Sequence, residues 1–356
     1  MTGASPKIDL DSDVVTLTRI LCDIPSVSGA EKEIADAVEL ALRAVPHLEV
    51  LRDGDAVVAR TALGRPTRVL LAGHLDTVPI ADNLPVVVDG DDLRGRGTVD
   101  MKAGVAVMLE LAARLAEPRY DVTYVFYDHE EVASVLNGLG RLVRTHPDWL
   151  VGDFAVLGEP SNATVEGGCQ GTMRVKITVP GVAAHPARSW MGSNAIHSAG
   201  AVLDVLRAYE PRRPVVDGLQ YREGLNAVKI EGGFAGNVVP DECTVYVNYR
   251  FAPDRGTDEA ERHLRELFAG FAVETVDVAP GARPGLDHPA AREFVAAVGR
   301  PVTAKLGWTD VSRFAALGIP AVNFGPGDPL RAHQADERCP MPAIRDAYEV
   351  LSAWLR

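Results

Sequence analysis

The chain has few cysteines, no clustered positive charge and no long apolar run. Its four cysteines, Cys22, Cys169, Cys243 and Cys339, lie far apart without a CxxC pair. That argues against a disulfide framework and against a thiolate metal site, and predicts small buried side chains instead. Lys and Arg number 36 against 49 Asp and Glu, a formal net charge of −13 with no basic cluster. Nucleic acid and anionic membrane surfaces are therefore poor partners. No stretch approaches the roughly 18 apolar residues of a membrane span, and the opening MTGASPKIDL lacks the apolar segment of a signal peptide. The expectation is a cytoplasmic protein. Internal repeats and low-complexity linkers are also missing.

What is present is enough apolar material for two cores, 47% of 356 residues. Apolar spacing predicts helices over 14–21 and 34–42. Beyond them, strands at 67–72, 121–127 and 154–157 alternate with a helix at 101–115, the pattern of an α/β layer with a largely parallel sheet. From Arg174 the style changes, because MRVKITVPG alternates polar and apolar residues as a half-solvated strand does. A helix over 194–206, strands at 226–234 and 243–251, a helix over 258–268 and a strand at 273–278 complete a β-α-β-β-α-β order. The stretch 210–218 reads as a surface loop. A strand at 321–324 and a helix over 342–355 return to the first style. The expected architecture is a mostly parallel α/β domain, 1–173 and 288–356, with an inserted α+β, ferredoxin-like domain over 174–287.

Five residues with metal-binding side chains punctuate strands and turns: His74, Asp100, Glu131, Glu159 and His333. In LLAGHLDTVP, His74 and Asp76 project to the same side of an extended chain. A metal-bound imidazole needs its second nitrogen fixed, and Asp76 is placed to do that. Asp100 precedes the helix at 101 and taken alone reads as its N-cap. In YDHEEVAS, adjacent Glu130 and Glu131 can divide two duties, one holding metal and the other moving protons. Glu159 follows the strand at 154–157, and His333 sits in the polar loop RAHQADE. Each is unremarkable singly. Together, two His and three carboxylates form a ligand set suited to zinc, and less so to cobalt or manganese. Five ligands exceed the needs of one catalytic zinc, whereas two ions sharing a carboxylate would use them all.

HLDTVP, GRGTVDMKAG, the Glu130–Glu131 pair, GEPSN and the late His333 resemble, in order and spacing, the M20 family of dinuclear zinc amidohydrolases and peptidases. That resemblance implies two Zn2+ per subunit, with Co2+ a substitute. In it Asp100 bridges the ions, His74 and Glu159 complete one site, and Glu131 and His333 complete the other. Asp76 orients His74, and Glu130 is the general base. Members often carry Asp where His129 stands and Gly where Ala103 stands, departures that remove no ligand. The resemblance further implies that His185, in PGVAAHPARSW, reaches the active site of a partner subunit and stabilises an oxyanion. A homodimer through the inserted domain follows. Arg174, Arg188, Asn237, Arg250 and Thr309, with Arg313, are candidates for contacting a small N-acyl amino acid whose carboxylates suit paired Arg donors. Other acyl specificities within the family, deacetylase or aminoacylase, use the same ligands. An inactive binding protein of the same fold is the rival of another class, and the intact ligand set with Glu130 argues against it.

Overall fold

The computed structural model describes residues 7–356, so residues 1–6 of the polar tail lie outside the described residues. The chain forms two compact units. One takes the chain up to Gly167, Pro284–Thr303 and Asp310–Arg356, and the other Gly168–Arg283 with Ala304–Thr309. The strand carrying Arg174 starts at Gly171, so this boundary falls a few residues before the change of pattern seen in the sequence.

The first unit is built on an eight-stranded sheet. Four strands in its middle run parallel in the order Asp121–Tyr127, Arg68–His74, Phe154–Leu157 and Ala321–Asn323. The first three are apolar and buried almost throughout, as strands covered on both faces must be. A hairpin of Glu49–Asp53 and Ala56–Arg60 extends the sheet antiparallel, turning at Gly54 with φ +58°. Val14–Cys22, Lys32–Arg43, Lys102–Arg114, Pro289–Val298 and Met341–Leu355 are helices that share one core with the sheet. Lys102–Arg114 is buried along most of its length.

The second unit is a four-stranded antiparallel sheet in the order Gly224–Gly232, Glu242–Phe251, Gly171–Pro180 and Ala272–Ala279. With the β-α-β-β-α-β sequence this is the expected ferredoxin-like topology. Met173, Val175, Ile177 and Val179 alternate onto the face that packs against the helices. The helix expected over 194–206 is two, Ala195–Ser198 and Gly200–Ala208, the first capped by the Asn194 side chain. The loop at 210–218 contributes Val215–Val216 to a small hairpin with Leu219–Gln220. All four cysteines are free and buried.

Candidate metal centre

Three neighbouring parallel strands end at the same edge of the first unit's sheet, with His74 in register with Tyr127 and Ala72 with Leu157. Whatever follows these strands converges, as happens at the C-terminal edge of an open α/β sheet. His74 closes the middle strand, Asp128–Glu131 follow one neighbour, and Glu159 follows the other. Asp100 comes from the loop before the Lys102–Arg114 helix, and His333, at φ +65°, from the loop after Pro329–Arg331.

Asp100 is not the cap of that helix. Met101 holds the cap position, and no side chain bonds there. The carboxylate instead lies between two histidines: Oδ1 is 3.2 Å from His74 Nε2, and Oδ2 is 3.2 Å from His333 Nε2. Each histidine has a second carboxylate. Glu159 Oε1 is 3.9 Å from His74 Nε2, and Glu131 Oε1 is 2.9 Å from His333 Nε2. Donor atoms of His74, Asp100 and Glu131 all lie within 4.8 Å of one another. Two imidazole-carboxylate pairs around one shared carboxylate suit a pair of divalent cations of borderline hardness. The residues fit the group.

Asp76 is wholly buried and does more than face His74. The His74 Nδ1 atom is 3.0 Å from the Asp76 carbonyl oxygen and 3.4 Å from its Oδ1. The same carboxylate accepts from the Glu130 and Glu131 backbone N–H groups, each at 3.0 Å, and from Ser28 Oγ at 2.6 Å. It therefore fixes both glutamates as well as the imidazole. Burial pushes its pKa up, but His74 and these donors win and bring it to about 2. For His74 burial disfavours the cation, yet Asp100 and Asp76 raise its pKa well above the usual value. His333 is raised to about 10 by Asp100 and Glu131. Such strong pull toward the cationic form reflects the surplus of negative charge that a bound cation would neutralise. Desolvation raises Glu130 well above the carboxylate range; His74 opposes this, and Asp310, Glu159 and Glu131 add to the rise.

Several supporting residues carry no signal in the sequence. Ser28 lies 48 positions from Asp76. Glu31, buried, accepts from Gly29 N and His129 N, and His129 in turn sits 2.7 Å from Asp128. Asp310 accepts from Asn137 Nδ2 at 2.9 Å and pairs with Arg313, which also donates to Ser134. Glu337 bonds the Asp100 loop from the far end of the chain.

Arg174, His185, Arg188, Asn237, Arg250 and Thr309 belong to the second unit. His185 is exposed, and its Nδ1 accepts from Ala187 N at 3.1 Å, capping the short helix Pro186–Met191. Arg174 pairs with Asp277 at 3.4 Å, and Arg250 donates to Asn248 at 3.2 Å. Burial lowers the Arg250 pKa. Arg188 and Asn237 are exposed, whereas Thr309 is buried, its carbonyl 3.6 Å from Cys169 Sγ.

The fold and the donor cluster define a metal-dependent amide hydrolase. The chain belongs to peptidase family M20/M25/M40, whose profile matches residues 70–356. It is 57% identical over 351 residues to a Mycobacterium tuberculosis protein that carries the provisional name succinyl-diaminopimelate desuccinylase DapE, covering 98% of this chain and 99% of that one. It is 49% identical over 361 residues to succinyl-diaminopimelate desuccinylase of Corynebacterium glutamicum, covering 98% of each. A solved tripeptidase from Staphylococcus aureus superposes with a TM-score of 0.79 at 23% identity, covering 98% of each chain.

Proposed function

We propose that the protein is a succinyl-diaminopimelate desuccinylase, hydrolysing N-succinyl-LL-2,6-diaminopimelate to succinate and LL-2,6-diaminopimelate in the synthesis of lysine and cell-wall precursors. The likeness to the Corynebacterium enzyme along the whole chain carries the choice of substrate. The chemistry rests on Asp100, whose two oxygens face two histidines. His74, Asp100 and Glu159 would hold one zinc ion, and Asp100, Glu131 and His333 the other, with cobalt a substitute. Bound there, the ions supply Lewis-acid polarisation of the amide carbonyl and a more acidic water.

Glu130 takes the proton of the attacking water and returns it to the departing amine. Desolvation raises its proton affinity, and the charge of the bound ions would oppose that rise, so the carboxylate is free to accept the proton and then hold it until the amine departs. Asp76 keeps Glu130 in place through its backbone N–H. His185 of a partner subunit donates to the developing oxyanion, and Arg174, Arg188, Asn237, Arg250 and Thr309 provide donors for the substrate carboxylates. A homodimer is supported by the second unit's edge strand Gly224–Gly232, which exposes Val228 and Ile230, with Phe234 beyond it. An apolar edge of this kind is normally covered.

The test is hydrolysis of the succinylated substrate beside N-acetylornithine and other N-acyl amino acids, before and after chelation. Turnover of the succinyl substrate, lost with a chelator and restored by zinc or cobalt, is expected. Preference for N-acetylornithine would replace the desuccinylase reading with a deacetylase one.

A further inference from the structure

We propose that the buried ion pair Arg96–Glu337 is a positioning clamp that sets the half of the metal centre formed by His333, Glu131 and Asp100. The proposal rests on the two-metal reading above and assigns work to residues outside the ligand set.

Both partners are buried, Arg96 at 3% and Glu337 at 1% exposure, with Arg96 Nη1 2.6 Å from Glu337 Oε2. A buried ion pair of this kind is a poor source of stability, because desolvating two charges offsets their attraction. Its worth lies in what else it holds. Glu337 Oε1 accepts from Val99 N at 3.0 Å and from Asp100 N at 3.2 Å, so the carboxylate grips the backbone that presents the shared ligand. The Glu337 carbonyl accepts from Gly95 N at 2.9 Å, and Arg96 Nη1 donates to the Gln334 carbonyl at 3.3 Å. Arg96 Nε also donates to the Pro79 carbonyl at 3.1 Å.

These bonds stitch the loop carrying Asp100 to the loop carrying His333. Gln334 is the next residue after His333, and Glu337 is four positions on. The distance the clamp controls is therefore that between Asp100 Oδ2 and His333 Nε2, 3.2 Å. The opposite oxygen faces His74, which is anchored independently at the end of a sheet strand. Because Asp100 is common to both sites while Gln334 and Glu337 hold only the His333 loop, loosening the clamp should be felt more strongly at the ion on the His333 side than at the other. Partners behind a ligand commonly change metal affinity by about ten- to a hundred-fold.

Glu337→Gln keeps the shape and one acceptor but removes the charge facing Arg96. Metal-free protein is titrated with Co2+, following absorbance and heat, alongside wild type, His333→Ala and His74→Ala; circular dichroism and melting establish that each variant is folded. The expected result is two binding events in wild type. In Glu337→Gln the event that His333→Ala abolishes should weaken about ten-fold or more, with the other weakened distinctly less. Unchanged affinities, or equal weakening of both events, would overturn the clamp. Should Glu337→Gln not fold, Arg96→Lys, which keeps the charge pair but cannot reproduce the guanidinium's simultaneous bonds to Glu337, Gln334 and Pro79, is expected to weaken the same event to a smaller degree; no weakening overturns the proposal. Wild-type protein with fewer than two events refutes the two-metal reading itself, a distinguishable failure.

Discussion

Glu130 and Glu131 are adjacent residues with separate duties in the proposed reaction, and the structure offers a physical reason for the division. The Glu131 carboxylate lies against His333, within the donor cluster, while desolvation and three neighbouring carboxylates raise the pKa of Glu130. Replacing Glu130 with Gln should reduce kcat by about 10²- to 10⁴-fold, the usual worth of a positioned proton carrier. Metal content, measured on the same sample, should be unchanged; loss of metal together with activity would make Glu130 a ligand instead. His74, Glu131 and Glu159 stand out in the sequence as candidates because polar side chains just after apolar strands are conspicuous, whereas Asp100 and His333, on loops, stand out only through the motifs around them. Asp100 also had an ordinary explanation as a helix cap, which only the geometry removes: Met101 occupies that position, and the carboxylate faces two histidines. Ser28, Arg96, Asp310 and Glu337 were not legible. Their partners lie far off in sequence, as with Glu337 and Asp100, 237 positions apart, and no local pattern marks such a bond.

The Lys102–Arg114 helix begins just after Asp100, and it reaches the sheet through glycine. A Cβ on Gly104 would lie 2.1 Å from the Gly158 carbonyl oxygen, and one on Gly325 would lie 2.2 Å from the same atom. Three glycines thus bring the helix and two strand ends together beside Glu159. Gly104→Ala would gain helix propensity, but the clash is with backbone, which cannot swing away as a side chain can. Overpacking of this kind costs about 1–3 kcal/mol, more than the propensity gain of up to about 1 kcal/mol. Urea unfolding should show a lower midpoint for Gly104→Ala with an unchanged slope. An equal or higher midpoint would mean that the helix slides without strain. This helix was evident from its long apolar run, as were the strands 121–127 and 154–157. The helices Gly138–Thr145, Pro289–Val298 and Val311–Ala316 and the hairpin 49–60 were not placed. Gly138–Thr145 and Val311–Ala316 are too short to show a 3.6-residue period, and GLGRLVRT carries two glycines in its first turn; PAAREFVAAV places alanine at solvent-facing positions, which blurs the pattern.

At the scale of the molecule, the inserted unit announced itself through a change of strand style, from continuously apolar to alternating, which reflects one buried face in place of two. Its proposed contribution to catalysis concerns a second copy of the chain. If His185 serves the partner's donor cluster, a single chain carries every metal ligand and Glu130 but lacks its oxyanion donor, and activity belongs to the dimer. Glu130→Ala and His185→Ala homodimers should then each be nearly inactive, for different reasons. In a hybrid dimer, the site on the His185→Ala chain keeps its own Glu130 and receives His185 from the other chain, while the second site is doubly defective. Random exchange of an equimolar mixture gives about half hybrids, each with one good site of two, so about a quarter of wild-type activity should return. Activity should rise with the hybrid fraction seen by native mass spectrometry. Hybrids that form without any recovery would place His185 at the site of its own chain and leave the dimer without a catalytic role.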